Sequence, residues 1–213
     1  MNTASVTIKM QVSKSFTVKM PVSPHRLGQS CAFPDLRLFS GMSSIQVRPA
    51  TLRDAKAIAQ IQVASAQDAY KDFWPDAALN GLSVAQRQAY WREAINMCEP
   101  QVLVAHLDNE VMGFVGFDRS RDKGTPSTTG EIWAMYAAPA HWDKGVGQAL
   151  VEAAQEGLQE EGCTRVTLWT YKNNTRAIRF FEIAGFRPEA DSVKAVDVEG
   201  KPLEQMRLHR SLI

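Results

Sequence analysis

Apolar and polar residues alternate through Ile45-Gln46-Val47-Arg48 and stop at Pro49, the period of a half-buried opening strand. The period then lengthens. Ile58, Ile61 and residues 63–66 fall at helical spacing, with Thr51 as the expected N-cap and Asp54 three residues on, where an acid supports a first turn. Pro75 is expected to break this helix. Ser83 caps a second one, carrying Gln86, Tyr90, Trp91 and Ile95 and ending before Pro100. Apolar runs at 102–106 and 111–117, separated by Asp108-Asn109, form a hairpin, and the polar stretch 120–130 is a loop.

The chain continues with an apolar strand from Glu131 to Pro139 and a helix over 145–161 that buries Val146, Leu150, Ala153 and Leu158, with Gly162 as its stop. A strand over 165–171, a helix over 174–184 closed by Gly185, and a hairpin of 193–198 with 203–208 around Glu199-Gly200 complete the pattern. This order predicts an α/β protein with a mixed sheet. The strand-helix-strand unit at its centre should be a right-handed parallel crossover, with its ligand at the C-terminal end of the first strand.

With 213 residues, 45% hydrophobic and 22% charged, the chain is long enough to bury an ordinary core. A net charge of +1 with no basic run excludes an electrostatic footprint for nucleic acid. No run of about 18 apolar residues points to a membrane span. Cys31, Cys98 and Cys163 are far apart and lack metal-site spacing, so they read as reduced thiols of a cytoplasmic protein. His106, His141 and His209 are scattered, so no metal is expected. Residues 1–44 differ from the rest, with five cations against the single acid Asp35 and no sustained period. They read as a leader outside the fold, either a transit peptide or an upstream extension, since Met42-Ser43-Ser44 would make a natural start. The folded domain is expected over 45–213.

The chemistry is concentrated where the apolar strand meets Trp142-Asp143-Lys144-Gly145-Val146-Gly147-Gln148. Two glycines at a helix start let a ligand approach the backbone closely. The unpaired N–H groups there suit a phosphate or pyrophosphate. A dinucleotide-binding oxidoreductase fits poorly, because Leu150 stands in place of a third glycine.

Together with Asn174, Ala177, Ile178, Phe180, Phe181, Gly185 and Phe186, these residues resemble the GCN5-related N-acetyltransferase (GNAT) superfamily across 45–213. The two glycines of its pyrophosphate motif are kept, whereas Trp142 stands where Arg or Gln is usual. The resemblance implies a mixed, mostly antiparallel sheet whose central parallel strands part to admit acetyl-CoA. Met135, Tyr136 and Ala137 would then offer backbone groups to the pantetheine arm and the thioester carbonyl. Asp143, Lys144, Gly145, Val146, Gly147 and Gln148 would hold the pyrophosphate, and the Asn174 amide would meet the pantetheine.

The implied activity is direct acetyl transfer to a primary amine of a small molecule or protein, in a ternary complex. An amine of pKa near 10.4 is only about one part in a thousand neutral at pH 7, a deficit of roughly 4 kcal/mol. By resemblance Glu131, four residues before Met135, is the expected base. Many family members place a Tyr proton donor where this chain has Phe181, leaving Tyr136 or Tyr171 as substitutes. Tyr70, Phe73, Trp74, Tyr90 and Trp91 are expected to divide between the core and an acceptor pocket. A homodimer is a family expectation, and a non-catalytic acyl-CoA-binding module of the same fold is the alternative reading.

Overall fold

In the computed structural model, which describes residues 45–213, β1 (Gln46–Pro49) opens an eight-stranded sheet. The expected leader lies outside the described residues. Two helices, α1 (Ala55–Tyr70) and α3 (Val84–Met97), flank the short α2 (Asp76–Asn80). β2 (Gln101–Leu107) and β3 (Glu110–Arg119) form the expected hairpin, and Asp108 and Asn109 both take the positive φ that a tight two-residue turn requires. β4 (Thr129–Ala137), α4 (Val146–Glu160) and β5 (Arg165–Tyr171) make the central unit. α5 (Thr175–Ile183), β6 (Arg187–Pro188), β7 (Lys194–Val198) and β8 (Lys201–Ser211) follow.

The strands run in the order β1-β2-β3-β4-β5-β8-β6, with β7 also paired to β8. Every pairing is antiparallel except β4 with β5. The sheet is therefore mixed and mostly antiparallel, as expected.

Alternation along β2 divides the core. Leu103 and Ala105 face α4 with Leu150 and Leu158, while Val102 and Val104 face α1 and α3 with Ile58 and Trp91. Leu150 and Leu158 are fully buried, a contribution of about 2 kcal/mol each by area.

Four local expectations need correction. Thr51 does not cap α1. Instead its backbone N–H and hydroxyl both donate to the Asp54 carboxylate, at 2.7 and 2.9 Å, and Arg48 grips the same carboxylate at 2.8 and 2.9 Å. The acid thus ties β1 to the start of α1. The first helix ends at Tyr70, before Pro75, which sits as the extended N-cap of α2. The two-residue β6 was too short to register as a period. Cys163 is a buried free thiol, but Cys98 is disulfide-bonded, against the expectation of reduced thiols. Ser83 caps α3 as expected, accepting from the Gln86 N–H at 3.3 Å. No helix among the described residues is long and apolar enough to cross a membrane.

Candidate active site

β4 and β5 pair only from Thr129 with Arg165 to Ile132 with Leu168. Beyond that point they part, while β4 stays paired to β3 through Ala137. A β-bulge in β4 opposite Gly116 and Phe117, which places Trp133 as the extra residue, bends the strand where the separation begins. The backbone edge of residues 133–137 that faces β5 is consequently open. The Ala138 N–H donates to Met112 on β3 and the Tyr136 carbonyl lies against Gly113. Strand alternation therefore turns the backbone groups of Met135 and Ala137 to the open side. The Ala137 carbonyl is already engaged there, accepting from the Ser65 hydroxyl at 2.7 Å and the Trp142 indole N–H at 2.8 Å. Of the expected thioester contacts, the Met135 peptide groups and the Ala137 N–H face the opening, whereas the Tyr136 backbone faces β3.

The glycine-rich turn closes this opening. Gly145 is the N-cap of α4 with φ of 84°, a left-handed conformation that favours glycine, and no side chain caps the helix. The N–H groups of Val146, Gly147 and Gln148 are thus first-turn donors with no side-chain cap, and no acid lies in that turn to compete for an anion. Gly147 is required for a second reason: a Cβ there would lie 3.0 Å from the Phe180 ring of α5. Asp143 lies 3.8 Å from Arg176, whose guanidinium also stacks over Trp142 at 4.2 Å. Asn174 caps α5, with its side-chain oxygen accepting from the Ala177 N–H at 3.2 Å, which leaves its amide N–H groups as donors. The residues present suit a pyrophosphate with an amide-bearing arm.

Between α1, α3 and the parted strand ends lies a cavity of about 370 Å³. Glu131, 1% exposed, forms part of its wall. Its Oε2 accepts from the Arg121 backbone N–H at 2.9 Å, and Oε1 accepts from Arg121 Nε at 3.1 Å and from Nη2. Arg121 also stacks on Trp133 at 4.3 Å. Asp122 accepts from the Trp169 indole N–H at 2.9 Å and from Arg207 at 2.8 Å. The Lys194 ammonium lies 3.5 Å from the Trp169 ring centroid, and burial lowers its pKa against the pull of Asp122 and Glu131. Burial holds the Tyr70 and Tyr171 phenols well above their ordinary range. The Tyr70 and Tyr136 hydroxyls stand 3.5 Å apart.

The aromatic residues divide between wall and core. Tyr70 and Trp74 line the cavity, whereas Trp91 packs under Phe114 in the core and Phe73 is buried against Tyr171. Phe181 packs on Phe180 and Phe186. Sequence reasoning missed Arg87, Arg121, Asp122, Trp133, Trp169 and Lys194, all of which line the cavity. Arg87 alone left a signal, since it precedes Trp91 by four residues and so occupies a core-facing phase of α3. Among the described residues no His, Cys, Asp and Glu group suits a metal ion.

The sequence model of the Acetyltransferase (GNAT) family matches residues 64–186. An uncharacterized N-acetyltransferase of Bacillus subtilis, YuaI, is 28% identical over 167 residues, covering 77% of this chain and 91% of that protein. Among solved structures, yncA from Salmonella typhimurium with its cofactor acetyl-CoA matches with a TM-score of 0.63 at 24% identity, over 80% of this chain and 95% of that one. The PaiA N-acetyltransferase of Thermoplasma acidophilum in complex with coenzyme A gives 0.61 at 15% identity, over 79% and 99%. These two likenesses are likenesses of fold.

Proposed function

Because the chain belongs to the Acetyltransferase (GNAT) family, we propose that it transfers the acetyl group of acetyl-CoA directly to a primary amine seated in the cavity beside Glu131. The observation that carries this reading is the parting of β4 from β5 beyond Ile132, next to the uncapped first turn of α4. One opening thereby offers a strand edge for a pantetheine arm and a set of N–H donors for a pyrophosphate. Two of the fold's neighbours carry acetyl-CoA or CoA, which supports the choice of donor.

Acetyl-CoA supplies an activated thioester carbonyl for the amine to attack. In this reading the N–H groups of Val146, Gly147 and Gln148 hold the pyrophosphate, with Asp143 and Lys144 on the turn before them. The Asn174 amide donates to the pantetheine. The Met135 and Ala137 peptide groups orient the arm, and an N–H there polarises the thioester carbonyl. The Tyr136 side chain, rather than its backbone, serves the site.

Glu131 accepts the proton that the acceptor ammonium must lose. Three donors from Arg121 occupy both lone pairs of Oε1 and one of Oε2, so Oε2 keeps the lone pair that takes this proton, through a water molecule or directly. Thermal-shift titration of the protein with acetyl-CoA, CoA and NAD tests the donor assignment. Stabilisation by the two CoA ligands alone is expected, followed by thiol release on adding an accepted amine. No response to either CoA ligand overturns the reading.

A further inference from the structure

Three cations line the cavity, and two of them are accounted for. Arg121 is paired with Glu131, and Lys194 lies over Trp169 within the influence of Asp122 and Glu131. Arg87 differs. It is 6% exposed, yet no carboxylate, carbonyl or hydroxyl among the described residues accepts a hydrogen bond from its guanidinium. Its electrostatic surroundings are the phenols of Tyr136 and Tyr90, and burial depresses its pKa without any acid to offset the loss of water. The Tyr90 phenol is not the missing anion. Tyr90 is pushed up to about 12, chiefly by burial and against the pull of Arg121 and Arg87.

Guanidinium does not deprotonate in a protein, and the Arg87 nitrogens are not among the atoms sealed off without a partner, so they open onto the cavity. A position that served packing alone would need no charge there. Arg87 instead holds five N–H donors at a cavity wall shared with Glu131 and Tyr136. The arrangement is a preformed half of an ion pair. Its planar fork fits a carboxylate with two parallel hydrogen bonds.

We propose that Arg87 binds a carboxylate of the acceptor, so that the acceptor is a small amine that also carries a carboxylate, as an amino acid does. This rests on the acetyltransferase reading of the same cavity. The carboxylate sits against α3, and the amine sits toward Glu131 on β4. A zwitterion of this kind neutralises Arg87 without adding net charge to the enclosed site. The walls contributed by Trp74, Trp133 and Tyr70 then contact the acceptor's remaining apolar part.

The test uses matched pairs: standard amino acids against their carboxamides and their decarboxylated amines, each with the full protein and acetyl-CoA. Thiol release and, separately, thermal shift of the CoA-bound protein are read. The acids are expected to exceed their uncharged partners in kcat/KM by about tenfold to a hundredfold. The thermal shift should show the same preference without any turnover. Arg87→Met should erase the preference for the acid by raising KM, with acetyl-CoA affinity retained, and Arg87→Lys should restore part of it.

Binding of an acid without thiol release would support this inference while removing the transfer reading. Equal response to acids and carboxamides, or stabilisation by none of the acids, would overturn it. The wild-type comparison decides the matter even if Arg87→Met fails to fold.

Discussion

The Trp142 indole N–H donates to the Ala137 carbonyl at 2.8 Å, and so fastens the glycine-rich turn to the last residue of β4. The Ser65 hydroxyl reaches the same oxygen from α1, and Arg176 covers the indole from α5. The residue that departs from the family's pattern is therefore a strut that joins the three elements around the opening. Trp142→Phe keeps the ring and loses the N–H, a cost of about 1 kcal/mol, because Ser65 still satisfies the carbonyl. Trp142→Ala removes the strut and should raise the acetyl-CoA dissociation constant about tenfold. Calorimetric titration of both variants checks this. Equal affinity for Trp142→Ala and wild type would exclude the strut from ligand binding.

The Phe180 ring bounds Gly147 on one side, and in the proposed reading the pyrophosphate approaches it on the other. Gly147→Ala should cost about 1–3 kcal/mol through contact with that ring, and it should also weaken acetyl-CoA binding. Adding Phe180→Ala separates the causes. Measured against Phe180→Ala alone, Gly147→Ala should no longer cost stability but should still lower the affinity. Loss of both effects in that background would assign the glycine to helix packing alone.

The strands, the helices and the glycine turn were legible because each leaves a local period or a local punctuation. Asp108-Asn109 required positive φ at both positions, and the apolar stripe of Val146, Leu150 and Ala153 could belong only to a helix. Of the cavity wall, Glu131, Tyr136, Tyr171, Tyr70 and Trp74 were legible and the rest was not. Arg121 and Asp122 lie in a stretch whose polarity reads only as a loop, and they meet Glu131 and Trp169 through strand pairings that join distant segments. Lys194 reaches Trp169 because β7 folds back on β8, and nothing in the spacing of 25 residues foretells that contact. The Asp54 misreading had the same origin: the acid was assigned to the helix dipole, whereas its stronger partner, Arg48, lies on the preceding strand.

Glu131→Gln preserves the shape of the side chain and leaves Arg121, which is 33% exposed, partly solvated. The fold should survive, whereas kcat should fall by about a hundredfold or more. The loss should be greatest at low pH, where the neutral amine is scarcest, and shrink as alkaline conditions deprotonate the acceptor without help. A pH-rate profile parallel to that of wild type would remove Glu131 as the base.

Asp54 makes a prediction about acid stability. Burial opposes its ionisation, but hydrogen bonds from Arg48 and from the backbone and hydroxyl of Thr51 outweigh burial and hold its pKa at about 2, below the ordinary 3.8. Because the folded value is the lower one, the stabilisation is complete above pH 4 and is lost as the pH falls from there toward 2. A shift of nearly two units corresponds to about 2 kcal/mol. Urea unfolding of wild type and Asp54→Asn should differ by about that amount at pH 7 and converge near pH 2. A constant difference at both pH values would refute the linkage.

Phe181 carries no proton for the departing thiolate, and the structure brings the phenols of Tyr136, Tyr70 and Tyr171 to the cavity in its place. Tyr136 is the best placed of the three. It stands on β4 one residue from Met135, beside the open strand edge, whereas Tyr171 is packed among Tyr70, Phe73 and Trp74. Tyr136→Phe removes one oxygen and leaves the ring stacked on Phe114 at 5.7 Å, so stability should change by about 1 kcal/mol or less. If Tyr136 protonates the thiolate, kcat should fall by about a hundredfold with the KM for acetyl-CoA unchanged. Tyr70→Phe, which removes only the hydroxyl 3.5 Å from that of Tyr136, should lower kcat by less than tenfold. A full kcat in Tyr136→Phe would mean that the thiolate leaves without a phenol at this position.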